Sequence, residues 1–310
     1  MRVLALLVIA GMLLAACQAT PSASSSGSAQ AAGLSDAVVE TVLRAFDDHP
    51  VVAIGESHRS VVEHEFLRAL ISDPRLAGVI DDVAVEFGSA RHQDVIDRYV
   101  SGASVDDAEL QLVWTDTTQR SGVWDHPVYR QFFDRIRALN AERGPDQQMR
   151  VLLGDPPIDW DAITAETDCS DRDPTCLDHW ILSRDTHFAE VVRREGLAHH
   201  HNVLVVAGSG HVLRNPTADA PISLTDELDA TGDEPTWVLV PADAALIALV
   251  GDALEPAAER PAIVRVAGTG LGELVSAEFF AGGTVTCDPG PCETPPAVSL
   301  GSLADALLLL

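Results

Sequence analysis

The sequence predicts an α/β fold: one domain with a central, largely parallel β-sheet flanked by helices on both faces. Three observations carry that expectation. Short apolar, β-branched runs recur along the chain, and segments of helical period separate them. The runs are continuously apolar rather than alternating, as strands buried on both faces require.

Residues 1–16 come first. "MRVLALLVIAGMLLAAC" carries one positive charge, Arg2, and an apolar run. The run is shorter than the ~20 residues of a membrane-spanning helix, so it reads as a secretory signal. "LAAC" resembles a bacterial lipobox, which implies cleavage before Cys17 and lipid on its thiol and new amino terminus. Residues 17–33 continue as a Ser/Ala-rich tether of small polar residues without periodicity. The α/β domain is expected over 34–310, in the bacterial cell envelope, extracytoplasmic and lipid-anchored.

The first strand is "VVAIG" (51–55). A helix follows over 63–71, with Phe66, Leu67, Leu70 and Ile71 on one stripe. The next strand is "VAVEF" (83–87). A second helix over 128–140 lines up Tyr129, Phe132, Phe133, Ile136 and Leu139. "RVLLGD" (150–155), "NVLVVAG" (202–208) and "WVLVP" (237–241) supply three more strands, and "AIVRVAG" (262–268) a weaker sixth. "DHWILSRDTHFAEVVRRE" (178–195) reads as one helix with Trp180, Ile181, Phe188, Val191 and Val192 on its apolar face. Segments 101–127 and 156–178 are long excursions suited to a rim or lid. "GTGLGE" (268–273) has the wrong glycine spacing for a dinucleotide loop and reads as a turn.

The formal net charge is −27, from 47 acids against 20 basic residues. Nucleic acid and anionic lipid both need a basic surface, so neither is an expected partner. Membrane contact would come through the lipid anchor only. Aromatics are 5% of the chain, too few for a broad polysaccharide platform. In an exported protein, Cys169–Cys176 and Cys287–Cys292 are the simplest disulfides, each closing a small loop, although four cysteines allow three connectivities.

The chemistry gathers at strand ends. The first strand runs into Glu56 and His58, the second ends at Glu86, the third at Asp155, and the fourth runs into His211. Ligands of open α/β sheets sit beyond the carboxyl ends of the strands. One such residue alone is more often a helix cap or a loop charge; four in succession, all acid or histidine, point to a site. Arg184 lies on the core side of its helix and needs an anionic partner, either a structural carboxylate or an anionic substrate. Asp185 borders the same stripe. His64 is a secondary candidate, whereas Glu63 and Glu65 suit capping or surface roles at a helix start. "HHH" (199–201) reads as a solvated loop. Ser57 and Ser209 lack the surroundings of a nucleophile elbow.

"GESH" and "GSGH" share the form Gly-x-x-His, each at a strand end, with "VAVEF" and "SRDTHFA" between them. This order, over roughly residues 50–215, resembles the superfamily joining erythromycin esterases, Tiki/TraB-type proteins and ChaN-like haem-binding lipoproteins. "VEFGSARHQDVIDRYVSG" is most similar to the ChaN-like branch, and the final "LADALLLL" faintly resembles the end of erythromycin esterase-like chains. The resemblance implies an α/β sandwich and functional roles for Glu56, His58, Glu86, Arg184 and His211.

Two functional readings follow. The first is a hydrolase acting on a small-molecule or peptide ligand. Either a histidine–carboxylate pair activates water, or His58, Glu86 and His211 hold zinc, manganese or cobalt. The second is a non-catalytic haem- or metal-binding lipoprotein, with Tyr99 and Tyr129 the only tyrosines available to haem iron.

Overall fold

A computed structural model describes residues 33–119, 122–161, 163, 178–215, 222–231, 235–251, 254, 259–276 and 297–310. The signal, Cys17, the tether up to residue 32 and the four other cysteines lie outside the described residues, as does most of 156–178.

Seven strands form the main sheet. They are β1 (Val51–Glu56), β2 (Asp82–Ser89), β3 (Arg150–Asp155), β4 (Val203–Gly208), β5 (Trp237–Pro241), β6 (Ala262–Arg265) and β7 (Ala306–Leu309). Their order across the sheet is β3-β2-β4-β1-β5-β7-β6. The first six in that order run parallel, and β6 pairs antiparallel with β7 at one edge. The sixth run of the sequence is thus shorter than its pattern suggested, and it becomes an edge strand. The closing "ALLL", by contrast, is a buried parallel strand inserted between β5 and β6.

The side-chain alternation of each strand feeds two separate cores, as the two-faced apolarity of the runs required. Val52 and Ile54 of β1 face one core with Val83, Val85, Phe87, Val151 and Leu153. That core is covered by α1 (Asp36–Asp48), α2 (Val61–Ser72), α3 (Gln93–Val100), α4 (Asp107–Thr115) and α5 (Pro127–Ala141). Val51 and Ala53 face the opposite core with Ala84, Leu152, Val203 and Val205. The short helix α6 (Asp178–Leu182) leads into this second layer. Its main helices are α7 (Arg184–Val191), α8 (Ser209–Val212), α9 (Leu224–Asp229), α10 (Ala244–Val250) and α11 (Leu300–Leu303).

The stripes on α2 and α5 are buried as their spacing dictates. Segment 178–195 behaves differently. Ser183 interrupts it between α6 and α7, and a π-helical turn over Val192–Gly196 ends it. Phe188, Val191 and Val192 are buried, but Ile181 is 47% exposed, so the apolar face begins only after the break.

Candidate active site

Four adjacent parallel strands, β3-β2-β4-β1, deliver the strand-end acids and histidines to one rim. In register, Glu56 lies beside Gly208 and Ser89 beside Asp155. Pairing of β2 with β3 is irregular between Val85 and Ser89, which is where Glu86 sits. Such irregularities re-aim side chains next to functional sites.

The β1–α2 connection forms the first wall. Ser60 caps α2 by accepting from the Glu63 amide, and the Glu63 carboxylate accepts from the Ser57 amide at 2.5 Å. Arg59 holds a left-handed backbone at φ +67°, an unfavourable conformation for a non-glycine residue. It is pinned there: its amide donates to Tyr129 Oη at 2.9 Å, and its guanidinium donates to the Val123 and Gly122 carbonyls. This strained turn fixes His58, whose Nδ1 lies 2.5 Å from Glu56 Oε1. Trp124 from the 101–127 excursion packs edge-on against the His58 ring, 4.4 Å between centroids.

Glu56 is held from two sides. Its second oxygen meets His64 Nε2 at 3.1 Å, and His64 is fully buried among Phe87, Tyr129 and Phe132. The other His64 nitrogen, Nδ1, is buried without a partner, so Nε2 carries the proton that Glu56 accepts. Burial would raise the Glu56 pKa, but its bonds to His58 and His64 outweigh burial and lower it. Glu56 is therefore a carboxylate with both oxygens committed to imidazoles.

A second network lies across Gly208. Glu86 accepts from the Gly208 amide at 2.7 Å, from Arg184, and from His211 Nε2 at 3.2 Å. Burial pushes the Glu86 pKa up, yet His211 and Arg184 hold it well below the usual carboxylate range. Asp185, one residue past Arg184 at the start of α7, meets His211 Nδ1 at 2.6 Å. Burial alone would lower His211, but the Glu86 and Asp185 charges hold it up at about 10. His211 is thus a locked imidazolium. Arg184 also reaches Asp155 at 3.5 Å, and Asp155 accepts from both the amide and hydroxyl of Thr118. Burial pushes the Asp155 carboxyl up to about 6.

Gly208 shows how closely the networks approach. A methyl group there would lie 2.8 Å from His58 Cε1, 3.3 Å from Glu86 Oε2 and 3.6 Å from His211 Cδ2. His58, Glu56 and His211 border a cleft of about 900 Å³ that also reaches α10 and α11. All five principal candidates and the secondary candidates His64, Asp155 and Asp185 therefore gather at one rim, in two networks that approach each other across Gly208. Arg184 itself does not line the cleft; it stands behind Glu86 as a structural counter-ion. Thr118 and Trp124 were invisible as site residues in the sequence, whereas Gly208 opens the "GSGH" motif although its contact role was not legible. Both lie in a stretch without periodicity, the excursion over 101–127. His201 departs from the solvated-loop reading: it pairs with buried Asp82 at 2.9 Å, at the opposite rim.

The metal set fares differently from the rest. Both nitrogens of His211 and both oxygens of Glu86 are committed to each other and to fixed neighbours. Among the described residues, no group of three His, Cys, Asp or Glu side chains is arranged to hold a metal ion. The tyrosines do not suit haem iron either. Tyr99 donates to Asp134 at 2.5 Å, and Tyr129 is fully buried with its hydroxyl on the Arg59 amide. Neither borders the cleft.

The fold and rim define an α/β sandwich with a histidine–carboxylate site at the carboxyl ends of its central strands. No family model matches the chain, and neither does any curated protein. Solved structures share its architecture. A crystal structure of a Bacillus cereus protein aligns with 88% of this chain and 90% of its own, at 12% identity and a TM-score of 0.56. ChaN of Campylobacter jejuni, described as binding haem cofacially, aligns with 66% of this chain and 86% of its own, at 16% identity and a TM-score of 0.42. A MARTX toxin effector domain from Vibrio vulnificus aligns with 67% of this chain and 36% of its own, at 19% identity and a TM-score of 0.43. The Bacillus cereus alignment shows a common fold.

Proposed function

We propose that this protein is a hydrolase in which His58 activates water. The observation that carries the reading is the Glu56–His58 pair opening on the cleft. Ionised Glu56 accepts from Nδ1, which leaves Nε2 as the free basic nitrogen. His64, on the far oxygen of Glu56, prevents that carboxylate from rotating away.

The step is a general-base hydrolysis of an ester. Water loses a proton to His58 Nε2 as its oxygen bonds to the acyl carbon. The tetrahedral intermediate then expels the alcohol oxygen, which takes the proton back from His58. The His211 imidazolium, its two N–H groups held by Glu86 and Asp185, borders the cleft beside His58 as a fixed wall and is not free to donate to the intermediate. Glu86, Asp185 and Arg184 act through His211, as positioning residues. The Glu86–His211 pair and both tyrosines are committed to fixed neighbours, and no step is routed through a metal or haem.

The test is hydrolysis of simple chromogenic esters by the purified protein. His58→Gln is expected to lower kcat/KM by about 10²–10⁴-fold, the usual weight of general-base catalysis. Unchanged hydrolysis in that variant would remove the proposal. The protein is further proposed to act outside the cytoplasm, tethered through Cys17.

A further inference from the structure

The chemistry of the cleft beyond His58 narrows the substrate. We infer that the substrate is an uncharged ester with an apolar acyl chain of medium length, lying along α10 and α11; this rests on the hydrolase reading. Three observations support it.

The first is the division of the cleft walls. Glu56, His58 and His211 occupy one end, whereas Leu213, Val240, Leu246, Leu249, Leu300 and Leu303 make the rest predominantly apolar. The apolar wall is continuous with the histidine end rather than a separate surface. At about 900 Å³ the space is at the large end of ordinary ligand pockets, roughly 300–1,000 Å³.

The second is charge. Every basic residue of the chain is arginine, for the sequence contains no lysine, and no arginine lines the cleft among the described residues. The positive charge of His211 is already matched by Glu86 and Asp185. Glu56 and Asp243 line the cleft as well. A carboxylate or phosphate on the substrate would meet negative charge with no free cation to answer it.

The third is local construction. Asp243 caps α10 by accepting from the Leu246 amide at 2.7 Å, which sets the register of "AALIALV". That register turns Leu246 inward, where it packs against the second core and also borders the cleft. One turn on, Leu249 remains 40% exposed at the mouth. An exposed leucine contiguous with a buried apolar wall offers surface that an alkyl chain would cover.

The experiment is a p-nitrophenyl ester series from acetate to decanoate, with the hemisuccinate as the charged comparison. Each methylene fully removed from water is worth about fourfold in affinity, so kcat/KM should rise at least ~10-fold from acetate to octanoate. The hemisuccinate should be turned over more slowly than the butyrate. Leu249→Asp, a change at a half-exposed position, should collapse the octanoate-to-acetate ratio; Leu246→Asp should do so more strongly. Equal rates across the series, lost in His58→Gln, would overturn the acyl-chain inference while leaving the hydrolase reading standing. Turnover of no ester would remove the hydrolase reading. In that case N-octylacetamide, which is not hydrolysed, still tests the wall: thermal stabilisation that Leu249→Asp abolishes supports an apolar-chain site, and no stabilisation overturns it.

Discussion

Protonation of two histidines governs how this site should respond to pH, and the two act in opposite senses. Burial pulls the His58 pKa down, but the Glu56 bond and the Glu86 charge outweigh it and raise it above 6.5. The base must be neutral to accept a proton, so kcat/KM should fall on acidification with a midpoint above that value. Glu56→Gln removes the largest raising contact; the midpoint should shift to lower pH and the maximal rate should drop. A profile whose acid limb ignores Glu56 would contradict the pairing. His211 affects stability instead. Its folded pKa is about 10 against an ordinary 6.5, so the folded state retains a proton that the unfolded chain loses. That contribution is complete below 6.5 and disappears as pH rises through 10. Melting temperature should therefore decline between pH 7 and pH 10 in the native protein. His211→Gln should melt lower at pH 7, with the gap closing toward pH 10. Most of these residues were legible because they end apolar runs. The committed state of His211 was not: its partner Asp185 lies 26 positions away on another element, a separation that no local pattern encodes.

At the scale of elements, the decisive placement is that of α7 over β3. Arg184 and Asp185 both start this helix, so the position of α7 sets the Glu86 and His211 networks together. Gly154 of β3 makes that position possible: the Phe188 ring lies directly over its Cα, where any side chain would collide with it. Gly154→Ala should cost about 1–3 kcal/mol of stability, the usual penalty for overpacking a filled core. It should also lower activity more than that loss implies, because α7 must move away from the rim. Melting curves and kcat/KM on the same samples check this; an unaffected rate would show that the histidine site tolerates displacement of α7. Strands β1 to β5 were legible because continuous β-branched runs have few alternative folds. The end of α6 and the strand β7 were harder. Ser183 breaks a helical period that otherwise continues through Arg184, and "ALLL" is too short and leucine-rich to separate strand from helix by pattern. Only its pairing between β5 and β6 makes it a strand.

For the molecule as a whole, the question is what could hold so acidic a chain at a membrane. With a net charge of −27 on the whole chain, the acidic folded domain is repelled by anionic headgroups, and among the described residues no helix is long and apolar enough to cross a bilayer. The Cys17 motif, outside the described residues, is the feature proposed to supply a stable attachment. One acyl chain gives only marginal, reversible binding, whereas lipid on both the thiol and the amino terminus would be enough for a lasting anchor. Expressed in a bacterium with the native leader, the protein should sediment with membranes, resist washing in high salt and dissolve in detergent. Cys17→Ser should appear in the soluble fraction with its ester hydrolysis intact, since the cleft lies wholly within residues 56–303. Salt release of the native protein would instead mean ionic attachment, which the charge forbids for anionic lipid and would assign to a basic protein partner. Sedimentation of Cys17→Ser with membranes would sink the lipid anchor while leaving the histidine site untouched, because the two rest on separate parts of the chain.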